Sequence, residues 1–246
     1  MKRLLPLLFF GLLIVPAAAQ VPDLQSLLPA GGGSYSSKLI QFIGLATVLS
    51  VAPGILVTVT SFTRFAIAFS FLRSGLGLQS TPANLVLISL SLFMTFYVMS
   101  PTFDQAWQQG LKPLMDEKIT EVEAFEKTVA PLKAFMVRQV RAKDLALFES
   151  LSPAPAEVKE AKDANQVDLR VLVPAYMISE LRRGFEIGFL IALPFLVIDL
   201  IVATLTMSAG MMMMPPSVIA LPVKIIFFVL IDGWNLLVGN LIRSYN

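Results

Sequence analysis

Between Val173 and Pro216 the chain reads VPAYMISELRRGFEIGFLIALPFLVIDLIVATLTMSAGMMMMPP. Its apolar part carries two acids, Glu186 and Asp199, and it ends in Met211, Met212, Met213 and Met214, closed by Pro215-Pro216. A soluble core does not need so long an apolar run, and a simple membrane anchor does not tolerate charges within it. The stretch predicts half of a helical hairpin in an oligomeric channel, with the methionines at a constriction.

Composition supports a membrane-associated helical protein. Of 246 residues 56% are hydrophobic and 15% charged, and mean hydropathy is +0.75. The net charge of +2 does not imply nucleic acid as a partner. The sequence has no cysteine and no histidine. That removes disulfides, thiol nucleophiles, imidazole acid–base chemistry and nearly all zinc or haem sites together. Neither a phosphate-binding loop, a dinucleotide fingerprint, a nucleophile elbow nor a zincin helix occurs. The expectation is an all-α, non-enzymatic chain with no catalytic residue, cofactor or metal.

Along the chain, Lys2 and Arg3, the apolar Leu4–Val15 and the small Ala17-Ala18-Ala19 predict a secretory signal peptide over residues 1–19. Its apolar part is short of the ~20 residues of a membrane span, which disfavours an uncleaved first helix. Residues 20–38, with Pro22, Pro29 and Gly31-Gly32-Gly33, read as a flexible linker. Residues 39–110 form an expected first helical hairpin. Its first limb is broken or kinked at Pro53-Gly54, carries Arg64, and turns at Gly75–Thr81. Pro82 then suits the first turn of the second limb. That limb, Ala83–Ser100, is free of charge and is expected to end at Pro101.

Residues 111–173 read as a polar helical region on the periplasmic side. From Thr102 to Arg183 stand 12 Lys+Arg and 13 Asp+Glu, a solvated mixture rather than a binding patch. Pro113, Pro131, Pro153 and Pro155 are expected to cut it. Pro131–Leu151 sets Leu132, Phe135, Met136, Val140, Leu145 and Phe148 on one helical face. Residues 174–246 form the second hairpin, kinked at Pro194 and Pro222, with the methionine loop at 210–216. Signal cleavage would put the 12 basic residues counted above outside, against the positive-inside tendency. The conflict hints that these helices are not ordinary spans.

The charges in apolar helices are Arg64, Glu180, Glu186, Asp199, Lys224 and Asp232. Each needs a partner or a wet interior. Lys224 has Glu180, Asp199 and Asp232 as candidates. Asp232 lies about two turns along the same helix, too far to pair within it. Two readings stand, ion pairs that fix assembly or an ion pathway, and no inverted repeat supports transport. Gly184 and Gly188, four apart, suit close helix packing. The four methionines cannot share one helical face. They form either a soft apolar gasket in a ring of subunits or a hairpin tip buried by a neighbour.

The segments SVAPGILVTVTSFTRFAIAFSFL (Ser50–Leu72), Leu85–Asp104, PAYMISELRRGFEIGF (Pro174–Phe189), PFLVIDLI (Pro194–Ile201), Gly210–Pro216 and DGWNLLVGNL (Asp232–Leu241) resemble, in order, the FliP family of flagellar type III export-gate proteins. They also resemble its SctR-type counterparts in virulence injectisomes, and a signal peptide is more like the flagellar branch. Lys112–Arg170 matches less well. The resemblance implies a pore-forming subunit that conducts unfolded export substrates across the bacterial inner membrane. It implies a homo-oligomeric ring of about five copies, with FliQ-type and FliR-type subunits and further export-apparatus membrane proteins as partners. The gate would sit in the flagellar basal body and project towards the periplasm. Met211, Met212 and Met213 would close the pore, with Met214 beside them, and Glu180 and Lys224 would pair between subunits. The competing class is a small-solute or ion transporter.

Overall fold

The computed structural model describes residues 35–78, 83–151, 167–211 and 214–245. The expected signal peptide, most of the linker, Pro82, Pro153 and Pro155 lie outside them. All regular structure among the described residues is helical.

The chain divides into two compact units at Ala52/Pro53. In the first unit the described residues belong to α1 (Tyr35–Val59). At Pro53-Gly54, expected to be broken or kinked, this helix is not broken, and the break comes at Thr60-Ser61. There the hydroxyls hold the last carbonyls of α1. Thr60 Oγ1 donates to the Leu56 carbonyl at 2.6 Å and Thr63 Oγ1 to that of Val57 at 3.1 Å.

The second unit contains α2 (Phe62–Gly75), α3 (Asn84–Ala106), a π-helical turn (Trp107–Leu111) and α4 (Lys112–Met115). It continues with α5 (Glu121–Gln139), α6 (Ala142–Leu151), α7 (Leu169–Ser208), α8 (Pro216–Leu230) and α9 (Gly233–Arg243). The core centres on α2, whose Phe65, Phe69 and Leu72 are buried against Tyr176 and Phe195 of α7, Phe135 and Met136 of α5, and Leu241 and Tyr245 near the C-terminus. Full burial of each such side chain contributes roughly 1.5–3 kcal/mol. Helix α2 runs parallel to α7, because Arg64 meets Glu180, Ile67 meets Gly184, Phe71 meets Gly188 and Gly75 meets Phe195. A Cβ on Gly188 would lie 2.5 Å from the Phe71 ring, and one on Gly184 3.1 Å from Ile67. The two glycines therefore let α2 approach α7 closely.

Helix α3 does not end at Pro101. It passes through that proline, and the π-turn and α4 carry it on to Met115, giving a 32-residue span candidate. Pro101 lacks an amide donor and its ring crowds the carbonyl one turn back, and α3 carries it on its exposed face beside the buried Met99 and Thr102. Likewise α5 runs through Pro131 from a Thr120 cap whose hydroxyl accepts the Glu123 amide. It breaks instead at Val140, where the backbone is extended. Phe135 and Met136 are buried as their periodicity predicts.

Helix α7 has 40 residues and contains Pro174 and Pro194. It and the α3–α4 segment are long and apolar enough to cross a membrane. Helices α8 and α9 together make a third candidate, bent by 64°. The expected second limb is thus interrupted, beyond Pro222, at Ile231-Asp232. Asp232 takes a left-handed conformation with φ 52°, and the following Gly233 sits where a Cβ would be 2.2 Å from the Phe228 ring.

Candidate functional site

Arg64 is fully buried and is the hub of the polar interior. Its Nε donates to Glu180 Oε2 at 3.0 Å, and Nη2 donates to Glu180 Oε1, a bidentate ion pair with both side chains sealed from solvent. Nη1 donates to the Ser244 carbonyl and hydroxyl, both at 2.9 Å, and Nη2 lies 3.3 Å from Gln139 Oε1. The guanidinium carbon stands 3.7 Å from the centre of the Tyr245 ring, a cation–π contact. The Tyr245 hydroxyl in turn donates to Glu180 Oε2 at 2.6 Å. Tyr176 donates to the Thr60 carbonyl at 2.8 Å, anchoring the break before α2 to α7. The network joins α2, α5, α7 and the C-terminal residues. An arginine costs at least ~2.5 kcal/mol at a bilayer centre, and here it is matched by a carboxylate and neutral acceptors.

Lys224 forms a second polar centre on α8. Its ammonium is 2.6 Å from Asp199 Oδ2 on α7 and 2.9 Å from the Gly75 carbonyl at the end of α2. A cation there also opposes the negative end of the α2 dipole. Lys224 is buried, whereas the Asp199 side chain keeps 42% of its surface. That open side faces a cavity of about 790 Å³ that Ser217 and Val218 also line, at the end of α7 next to the methionine loop.

The loop is set by its flanks. Gly210, φ 72°, closes α7. Its amide donates to the Met207 carbonyl and the Met211 amide to that of Thr206, a Schellman ending. Pro215 caps α8 and Pro216 begins it. Met211 and Met214 are exposed at 43% and 44%. Met212 and Met213 lie outside the described residues.

Within the chain Glu180 pairs with Arg64 and Lys224 with Asp199, whereas the expected Glu180–Lys224 pair is one between subunits. Some other expected placements need correcting. Glu186 is not buried; it is exposed and paired with Arg182 one turn back, at 2.8 Å. Asp232 is exposed and serves as the left-handed residue before α9. Asp199 is half-buried, and of these four Arg64 alone is sealed. Pro194 and Pro222, expected as kinks, lie inside α7 and α8, and a bend of 64° separates α8 from α9 at Asp232.

Residues of the polar region that sequence reasoning passed over complete the interior. Gln139 offers its oxygen to both Arg64 and Arg183 and donates to the Tyr245 carbonyl at 3.0 Å. Ser179 bonds the buried Asp144 at 2.7 Å and receives the Arg141 amide at 3.1 Å. The only sequence signal for Gln139 was its place beside the apolar face of α5. Among the described residues no group of acids could hold a metal ion.

Known proteins share this chain's sequence over most of its length. The FliP family model matches residues 45–241. "Flagellar biosynthetic protein FliP" of Agrobacterium fabrum is 61% identical over 214 residues, covering 87% of this chain and 86% of that protein. The protein of that name in Bacillus subtilis is 48% identical over 209 residues, covering 85% and 93%. In Aquifex aeolicus it is 40% identical over 227 residues, covering 92% and 93%. The match spans the Arg64–Glu180 hub, the Lys224–Asp199 pair and the methionine loop alike, and the chain belongs to the FliP family.

Proposed function

We propose that the chain is a pore-forming subunit of the flagellar type III protein export gate and that it conducts unfolded export substrates across the bacterial inner membrane. Family membership supports the flagellar setting, since the relatives are named flagellar biosynthetic proteins. For the pore, the observation that carries most weight is the loop between α7 and α8, which leaves Met211 and Met214 exposed on a tight, capped turn. A lone chain gains nothing from exposed thioethers at the tip of its longest hairpin. A ring of chains brings them together as a pliable apolar seal.

The outer surface supports assembly. Large apolar side chains such as Phe93, Phe189, Leu200 and Leu230 are exposed along α3, α7 and α8, and exposed apolar area of this extent calls for bilayer or subunits to cover it. On this reading a ring of about five copies takes FliQ-type and FliR-type subunits and other export-apparatus proteins as partners, and it projects towards the periplasm. The buried Arg64 and Lys224 pairs hold each protomer rigid rather than passing ions, because both cations are already matched. The chain contributes no catalytic group on this reading.

Native mass spectrometry of the full chain, co-expressed with its neighbouring gate subunits and mildly solubilised, tests the assembly. A closed multi-copy ring carrying small hydrophobic partners is expected. A monomer or dimer without partners would turn the account towards a small-solute or ion transporter.

A further inference from the structure

We infer that the chain holds the phosphate of an anionic phospholipid in an arginine-lined cavity where its apolar helices meet its polar helices. The cavity, about 810 Å³, lies between α3, α5, α7 and the C-terminal residues. Arg64, Arg138 and Arg183 line it, and Glu186 is the acid on its wall. The charges do not cancel. Arg64 is matched by Glu180, and Glu186 is matched by Arg182. Among the described residues Arg183 hydrogen-bonds a neutral acceptor, Gln139 Oε1 at 2.9 Å, which it shares with Arg64, and feels Glu186 only at longer range. Arg138, exposed in the last turn of α5, makes no ion pair among the described residues. Two guanidinium groups therefore reach the cavity without an ion pair among the described residues, and a guanidinium fork suits the oxygens of a phosphate.

The position favours a lipid as the source of that phosphate. Helix α3 runs against the direction of α7, so Val98, Pro101 and Thr102 towards its far end line the cavity together with Arg183, Glu186 and Ile187. Just there the apolar stretch of α7 begins, with Phe185 and Phe189 exposed, while α3 exposes Phe93, Phe96 and Tyr97. Acyl chains would lie along these side chains while the headgroup enters the cavity. Basic pockets between apolar helices select anionic headgroups in this way. The methionine loop lies at the opposite end of α7, about 40 Å away along a 27-residue helical rise. The proposed site is therefore separate from the constriction, and it does not depend on the export-gate reading.

The test uses the purified full chain, delipidated in a zwitterionic detergent, with bound lipid counted by native mass spectrometry. Phosphatidylglycerol and phosphatidylcholine are titrated separately, and inorganic phosphate is added as a competitor. The expected result is preferential retention of phosphatidylglycerol that resists phosphate. Loss of that preference by about fivefold is expected for Arg138→Gln, and a further loss of similar size for Arg183→Gln. Arg138→Gln keeps the measurement interpretable if Arg183→Gln fails to fold, since Arg138 is exposed. Equal retention of the two lipids, or an unchanged preference in Arg138→Gln, would overturn the site. Displacement of phosphatidylglycerol by inorganic phosphate at low concentration would overturn the lipid as its occupant.

Discussion

Replacing Glu180 by glutamine keeps its shape and removes its charge, and the cost follows from what Arg64 is left with. In the folded chain the guanidinium has one ionised partner, Glu180, and neutral ones in Ser244 and Gln139. Removing one member of a sealed ion pair typically costs 3–5 kcal/mol, because the other charge stays buried. The remaining neutral acceptors and the glutamine oxygen place Glu180→Gln near the lower end, about 3 kcal/mol. For a chain of this size that is a fall in Tm of roughly 6–12 °C. The assay is thermal unfolding of the purified chain in mild detergent, followed by the fluorescence of Trp107 and Trp234. The double variant Arg64→Met with Glu180→Leu removes both charges and fills the space with apolar atoms, so it is expected to be more stable than Glu180→Gln alone. A fall of less than about 2 °C for Glu180→Gln, or a double variant that simply adds two losses, would refute the hub as the source of rigidity.

The Lys224–Asp199 pair predicts an asymmetry. Asp199→Asn leaves a buried ammonium with two neutral acceptors, the Gly75 carbonyl and the new amide oxygen, and no counter-charge, and costs about 2 kcal/mol, while Lys224→Met leaves a carboxylate that still reaches water and costs about 1 kcal/mol. Melting temperatures in the reverse order would show that Asp199, not Lys224, is the member that burial makes dependent. At the α2–α7 contact, Gly188→Ala drives a methyl group into the Phe71 ring and is expected to cost about 1–3 kcal/mol. Gly184→Ala needs Ile67 to move only a few tenths of an ångström and is the milder of the two in the same assay.

Much of this was legible in the residues. Arg64 in an apolar stretch demanded a buried acceptor, and Gly184 and Gly188 marked a close helix contact. Lys224 required an acid on another helix, and Asp199 stood among its candidates. The choice between candidates was not legible, because α2 packs parallel to α7 only through contacts more than 100 residues apart, such as Arg64 with Glu180. Once Glu180 is taken by Arg64, Asp199 is the acid that α8 meets. Proline misled where it was expected to end or cut a helix. Pro101 and Pro131 stay inside helices because the surrounding packing outweighs one missing hydrogen bond. A bend of 64° falls at Asp232, a left-handed non-glycine residue with no proline beside it. Glu186 looked costly when read as part of an apolar run, yet Arg182 one turn earlier shares its exposed face. Gln139 and Tyr245 gave no signal of their own, since they become part of the site only when three distant segments converge on Arg64.

The central claim is that the methionine loop closes a pore. Ion conductance of the assembled gate across a planar bilayer, compared between the native chain and Met211→Ala, Met212→Ala and Met213→Ala combined, tests it most directly. A closed native gate and a steady ion leak in the triple variant, with assembly intact, is the predicted result. Equal conductance in assembled, unplugged gates of both kinds would contradict it.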